Sequence, residues 1–245
     1  MTASRWNGRA LVLLAAAAVS LAALPLLPPV PQDQSYHQFA DRRALLGIPN
    51  FWNVVSNALF VLIGAAGLRL TGSASMRVIF LGIFLVGFGS AYYHWNPADA
   101  SLVWDRLPMT LGFMAILANV IEERVSGRAG ALLLGPLLAL GVASLLVWRI
   151  TGDLRLYGWV QFFPILALPL LFLLFPAKYT GTAHWLIAAA LYAAAKFFEF
   201  YDAPVLSAGH VVSGHTLKHA LAAAACFVIL RNFQTRRPIS AAARS

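Results

Sequence analysis

The sequence predicts an all-α integral membrane protein: a seven-helix transmembrane bundle preceded by one extra N-terminal apolar helix. Three observations carry this. Hydrophobic residues make up 60% of the 245 and charged residues only 11%, with a mean hydropathy of +0.73, where soluble domains run nearer about 45–50% and 25%. Apolar runs of about the length that a bilayer core requires recur along the chain. The connections between them are short and hold most of the charge. A spanning segment must satisfy its own backbone hydrogen bonds, and a helix does so.

The apolar segments run over 9–30, 50–70, 77–96, 103–121, 129–148, 155–176, 182–201 and 213–231. The first lies in MTASRWNGRALVLLAAAAVSLAALPLLPP, with a basic start, an apolar run and closing prolines. Residues 1–30 read as an uncleaved anchor, with a cleaved signal peptide as the alternative. The run is long for a signal core, and no small-x-small site closes it. Residues 31–49 then form an extracytoplasmic connection, 50–231 a seven-helix core and 232–245 a basic cytoplasmic tail. Within the core, FWNVVSN opens the second segment and GFGSAYYHW closes the third. VWDRLPM opens the fourth and SGHTLKH the eighth. Lys196 and Glu199 sit late in the seventh.

Lysine and arginine set the orientation. With a cytoplasmic N-terminus, the inner side holds Arg5, Arg9, Arg69, Arg77, Arg124, Arg128, Lys178, Arg231, Arg236, Arg237 and Arg244. The outer side holds Arg42, Arg43, Arg106, Arg149 and Arg155, with Lys196 and Lys218 near outer span ends. Both termini are therefore expected in the cytoplasm. The net charge of +9 is topogenic, and no basic groove interleaved with aromatics supports a nucleic-acid partner. The single cysteine, Cys226, excludes an intrachain disulfide and a cysteine-based zinc site.

Ionisable groups inside spans are costly and mark function. Here they share one level. Ser90 and His94 lie near the outer end of the third segment, Asp105 at the outer start of the fourth, and His215 and His219 at the outer start of the eighth. Residues four apart share a helix face, so both imidazoles of His215 and His219 can reach one ion. His94 can supply a third nitrogen. Three histidines leave one tetrahedral position for water, the pattern of catalytic zinc. Zinc would bring the pKa of that water towards about 7, with Asp105 as general base and Ser90 as a donor to a developing oxyanion. The competing account has three histidines bonded separately to backbone or water, and Asp105 paired with Arg106.

Other polar residues suggest less chemistry. Lys196 and Glu199 can pair three apart on one helix. His184 and His210 read as interfacial. Trp52, Trp95, Trp148 and Tyr179 read as interfacial anchors, and Gly87 and Gly89 as positions of close helix packing.

FWNVVSN (51–57), GFGSAYYH (87–94), WDRLPM (104–109) and SGHTLKH (213–219), in this order, resemble the alkaline ceramidase family. The wider superfamily of seven-helix hydrolases, often called CREST, also takes in adiponectin-type receptors and lipase-like remodelling factors of GPI anchors. The family pattern has a Ser four before a His, an Asp eleven after that His, and a late GHxxxH. Ser90, His94, Asp105 and Gly214-His215 with His219 match it over roughly 50–231. The resemblance implies one zinc held by His94, His215 and His219, catalytic Ser90 and Asp105, and hydrolysis of the amide bond of a ceramide-like membrane lipid. It implies calcium less well. Eukaryotic members carry an acidic, Trp-containing segment there, whereas YHQFADRRALLGIPN lacks the tryptophan and has Asn50 where an acidic ligand is expected. Asp33, Asp41 and Asn50 remain as candidate ligands, diluted by His37, Arg42 and Arg43, and calcium is not favoured.

The expectation is thus a zinc-dependent intramembrane lipid amidohydrolase of a bacterial inner membrane, with its active site towards the periplasm. A membrane lipid is its substrate, and no obligate protein partner is evident. A phospholipid acyl-ester hydrolase and a non-catalytic lipid-binding receptor are the alternatives. A proton-relay transporter would need polar residues through both leaflets, but the inner half of the spans is nearly all Ala, Leu, Val, Ile and Phe.

Overall fold

A computed structural model describes residues 3–240, with side chains from Gly8 onward. The side chain of Arg5 and the whole of Arg244, both counted for orientation, lie outside the described residues. Every apolar segment is helical. Helix α1 spans Ala3–Ala23, α2 Phe51–Val55, α3 Ala58–Leu68, α4 Ala74–Trp95, α5 Asp99–Arg124, α6 Gly127–Thr151, α7 Arg155–Leu174, α8 Thr182–Phe200, α9 Asp202–Gly209 and α10 Gly214–Thr235. Among the described residues, β structure is limited to isolated bridges.

Local chemistry sets the helix limits. Ser73, Ser126 and Ser213 each accept a hydrogen bond from a first-turn backbone N–H at the start of α4, α6 and α10, as N-caps do. Gly152, left-handed at φ 76°, ends α6. The second apolar segment is broken into α2 and α3. Asn57 Nδ2 donates to the Asn53 carbonyl at 2.7 Å, taking up an acceptor at the break.

Among the described residues, six helices can cross a membrane by length and composition, or seven if α9 and α10, bent 106° apart, act as one span. The sequence marks eight. The difference lies in α8 and α10, whose polar residues lower their mean hydropathy. Those two helices pack against each other, and α10 also packs against α3. Helices α4, α5, α6 and α7 form the rest of the bundle, with α3 on α4 and α1 on the outside against α7. Trp159 Nε1 donates to Ser20 Oγ at 3.0 Å across that last contact. The main core runs through the bundle around Ile79, Phe80, Ala115, Ala118 and Ala223, and a second cluster of Phe39, Tyr93, Leu102, Leu145, Trp148 and Tyr157 closes one end. Large apolar side chains such as Leu62, Ile150, Leu166 and Leu173 are exposed. This inverts the usual surface of a soluble monomer and suits a lipid environment.

Candidate metal centre

The first turn of α10 is held by two oxygens. Ser213 Oγ accepts from Thr216 N at 3.3 Å, and Asp202 Oδ1 accepts from His215 N at 2.7 Å. Asp202 Oδ2 also accepts from Ala40 N at 2.9 Å, which ties the 31–49 connection to the same point. Gly214 lets the chain turn there. A Cβ at Gly214 would press on the Phe198 carbonyl and come within 2.8 Å of Asp202 Cα. On α4, a Cβ at Gly89 would collide with the Trp104 carbonyl, and one at Gly87 would lie 3.1 Å from the Asn57 carbonyl. Both glycines therefore mark the close packing that the sequence suggests, and Gly89 brings α4 against the start of α5, where Asp105 lies.

These elements place His94, His215 and His219 together. All three are buried, and their candidate ligand atoms lie within 4.8 Å of one another. His94 Nε2 is 3.2 Å from His219 Nε2. The His94 ring centroid lies 4.8 Å from each of the other two, which are 5.0 Å apart. The rings do not disperse to separate partners. Phe39 covers them, with centroids 4.6 Å from His94 and 4.8 Å from His215.

The bracing residues come mainly from α2 and its flanks. Ser56 Oγ lies 2.8 Å from His219 Nδ1. Asn53 Oδ1 accepts from the Thr216 hydroxyl at 2.8 Å, which joins α2 to α10. Asn50, left-handed at φ 47°, donates from Nδ2 to the His94 carbonyl at 2.8 Å. Asn53 and Ser56 stand in the FWNVVSN motif, whose sequence assigns neither of them a role. A polar FWNVVSN at the head of an apolar segment was the available signal.

Ser90 and Asp105 are buried, and the close approach of Gly89 to the backbone of Trp104 and Asp105 brings their two segments together. Ser90 and Asp105 both line a cavity of about 610 Å³ with His219, whereas His94 and His215 are not among its lining residues. The polar end also contains Tyr36, Arg106, Lys196, Glu199 and Lys218, and the remaining wall is mostly apolar. Lys218 Nζ lies 2.8 Å from Glu199 Oε1, Lys196 pairs with Glu199 Oε2, and Tyr36 OH donates to Glu199 Oε1 at 3.0 Å. The expected Lys196–Glu199 pair is present, and Lys218 completes it.

The remaining polar residues take other partners. Arg106 does not form an ion pair with Asp105. Its guanidinium lies over Trp148 and Tyr157, each 4.6 Å from the ring centroid, and Nη2 donates to Gln32 Oε1 at 2.7 Å. Consecutive helical residues point to different faces, so adjacency in sequence did not make them partners. Trp148 is therefore a buried platform for Arg106 and not an interfacial anchor. Asp33, Asp41 and Asn50 each hold another partner. Asp33 Oδ1 accepts from Ser35 N at 2.8 Å, Asp41 Oδ2 accepts from Arg43 Nη2 at 2.6 Å, and Asn50 serves His94. His210 is exposed at the left-handed end of α9, away from the cluster.

The family model described as Ceramidase matches residues 46–198, more than half of the chain. The chain belongs to the ceramidase family. Among curated proteins, none matches it. The match to the ceramidase family takes in Ser90, His94 and Asp105 and stops before His215 and His219, so the gathering of the last two with His94 is a tertiary observation independent of that match. The cluster could hold a metal ion. Its donors are buried imidazoles, and the 3.2 Å between His94 and His219 is close to the roughly 3.3 Å edge of a tetrahedron with Zn–N near 2.0–2.1 Å. His94 Nδ1 finds no partner among the described residues. Lys218 Nζ approaches His215 Nε2 at only 3.3 Å while holding Glu199 more closely. That nitrogen can be released without stranding the ammonium.

Proposed function

We propose that this member of the ceramidase family is a zinc-dependent intramembrane hydrolase that cleaves the amide bond of a ceramide-like lipid. The observation that carries this reading is a cluster of three buried histidines, one of which, His219, lines a largely apolar cavity together with Ser90 and Asp105. His94, His215 and His219 are the ligands. Zinc held there supplies Lewis-acid polarisation and an acidified water.

The remaining chemistry belongs to the side chains. Asp105 takes the proton of the attacking water and passes it to the leaving amine, the ordinary work of a general base that becomes a general acid. Ser90 has one hydroxyl hydrogen. With Asp105 ionised it can donate to the carboxylate. Once Asp105 is protonated that donor is free to turn to the developing oxyanion, where it lowers the barrier. The apolar wall takes the acyl chains and limits water around the reacting groups. With both termini cytoplasmic, the centre lies towards the periplasmic side, and residues 1–30 act as an anchor ahead of the 50–231 core.

The test is mass spectrometry of the detergent-purified protein incubated with ceramide, N-acyl amides and phospholipid esters, alongside metal analysis. Release of sphingosine and fatty acid with about one zinc per chain is expected. Cleavage of the esters alone would make it a phospholipid acyl hydrolase. Metal retention with no cleavage across the panel would leave a lipid-binding receptor.

A further inference from the structure

Arg106 is a buried cation with an unused donor. Only 6% of it is exposed. Its planar group is stacked by Trp148 and Tyr157 at 4.6 Å and approached by Tyr36 at 5.7 Å. Such stacking suits a guanidinium and fixes its direction. Gln32 Oε1 takes Nη2 at 2.7 Å. Nη1 has no hydrogen-bond partner among the described residues, although it is buried. Arg106 lines the same cavity as Ser90 and Asp105.

No carboxylate pairs with it among the described residues. The two oxygens of Glu199 are already used by Lys218, Lys196 and Tyr36. Arg155, also on the cavity wall, is paired with Asp153 at 2.7 Å. The polar end therefore holds Arg106, Lys196 and Lys218 against Asp105 and Glu199, one positive charge in excess. A buried charge without a counter-ion and a buried donor without an acceptor are both costly. A neutral lipid oxygen would accept from the donor but leave the charge uncompensated. An anionic oxygen relieves both, through a charge-assisted hydrogen bond in a water-poor setting.

We infer that Arg106 binds an anionic oxygen on the headgroup of the lipid, a phosphate or a carboxylate, so that acidic lipid amides are the preferred substrates of this cavity. The inference rests on the hydrolase reading for its kinetic test, but not for its binding test. Gln32 and the three rings are positioning residues that hold the guanidinium towards the cavity.

The experiment compares three lipids with one acyl chain: N-acylsphingosine, its 1-phosphate and an N-acyl amino acid. KM is measured with the full chain in neutral detergent. Wild type is expected to give a lower KM for at least one acidic lipid, by roughly tenfold to a hundredfold, the size of one charge-assisted hydrogen bond. Preference for the phosphate alone or the carboxylate alone identifies the headgroup. In Arg106→Gln the ratio of acidic to neutral KM collapses towards one, and Arg106→Lys restores part of it. Arg149→Gln, which removes an exposed charge over the outer face of Trp148, keeps the full ratio. Equal KM values in wild type, a ratio that survives Arg106→Gln, or equal loss in Arg149→Gln would overturn the inference. If wild type cleaves none of the three, the hydrolase reading fails. Equilibrium binding of the same lipids to wild type and Arg106→Gln then decides this one separately.

Discussion

The hydroxyl of Ser56 lies 2.8 Å from Nδ1 of His219, the ring whose other nitrogen faces His94. A partner of this kind fixes the tautomer and the direction of a ligating imidazole. Ser56→Ala is expected to keep the fold and weaken zinc binding by roughly tenfold to a hundredfold. Competition with a chromophoric chelator measures this, and an unchanged affinity would show that Ser56 does not orient the ligand.

His219→Ala should lose most of the zinc, because two imidazoles remain where three are needed to hold it. Chelation of wild type should abolish hydrolysis, and added zinc should restore it. Normal metal content in the His219 variant would remove that residue from the ligand set.

Asp105→Ala is expected to retain the metal and to lower turnover by about a hundredfold to ten-thousandfold, the usual range for a general base. Metal analysis and kcat on the same preparation separate the two effects. Undiminished turnover would exclude Asp105 from proton transfer.

Gly214→Ala should destabilise the bend between α9 and α10, since a Cβ there meets the Phe198 carbonyl and comes within 2.8 Å of Asp202 Cα. Overpacking of this kind costs about 1–3 kcal/mol. A lower melting temperature with reduced zinc retention is the expected result, whereas an unchanged value would mean that the bend yields easily.

Asp41 offers a pH test outside the spans. Hydrogen bonds from the Arg43 side chain hold its carboxyl below the usual carboxylate range. Arg43 in turn donates to the Val211 carbonyl at 2.6 Å, just ahead of α10. A depressed carboxylate pKa contributes stability that is present above the unfolded value and is lost as pH falls through the folded one. The tether should therefore hold at neutral pH and loosen only below roughly pH 4. Amide exchange at 209–213 should rise over that acidic range in wild type. In Asp41→Asn it should already be raised at neutral pH. Equal exchange in the two proteins would show that the ion pair does not restrain this loop.

How far the site was legible depended on the kind of contact. His215 and His219 announce themselves by helical spacing, and Ser90 with His94 likewise. Their common depth with Asp105 could be read from the apolar segments alone. Ser56, Asn53 and Asn50 stood in a quoted motif, yet a short polar run says nothing about which ring or carbonyl it will meet. Adjacency in sequence suggested Arg106 as a partner of Asp105 only in the competing account, and the turn of α5 sends the two side chains to different neighbours.

Composition and spacing by themselves determined that the chain forms apolar helices, roughly where most of them lie, and which polar groups share a level, though the first helix ends at Ala23 rather than 30 and the second segment breaks into α2 and α3. Burial in lipid demands those features from each segment separately, so each segment records them. Only the tertiary structure decided that three imidazoles turn towards one point, that Glu199 gathers two lysines, and that Arg106 lies in an aromatic box facing the cavity. Those outcomes depend on the rotation and closeness of helices far apart in sequence. The packing of α4, α5, α8 and α10 sets that geometry, and no single segment encodes it.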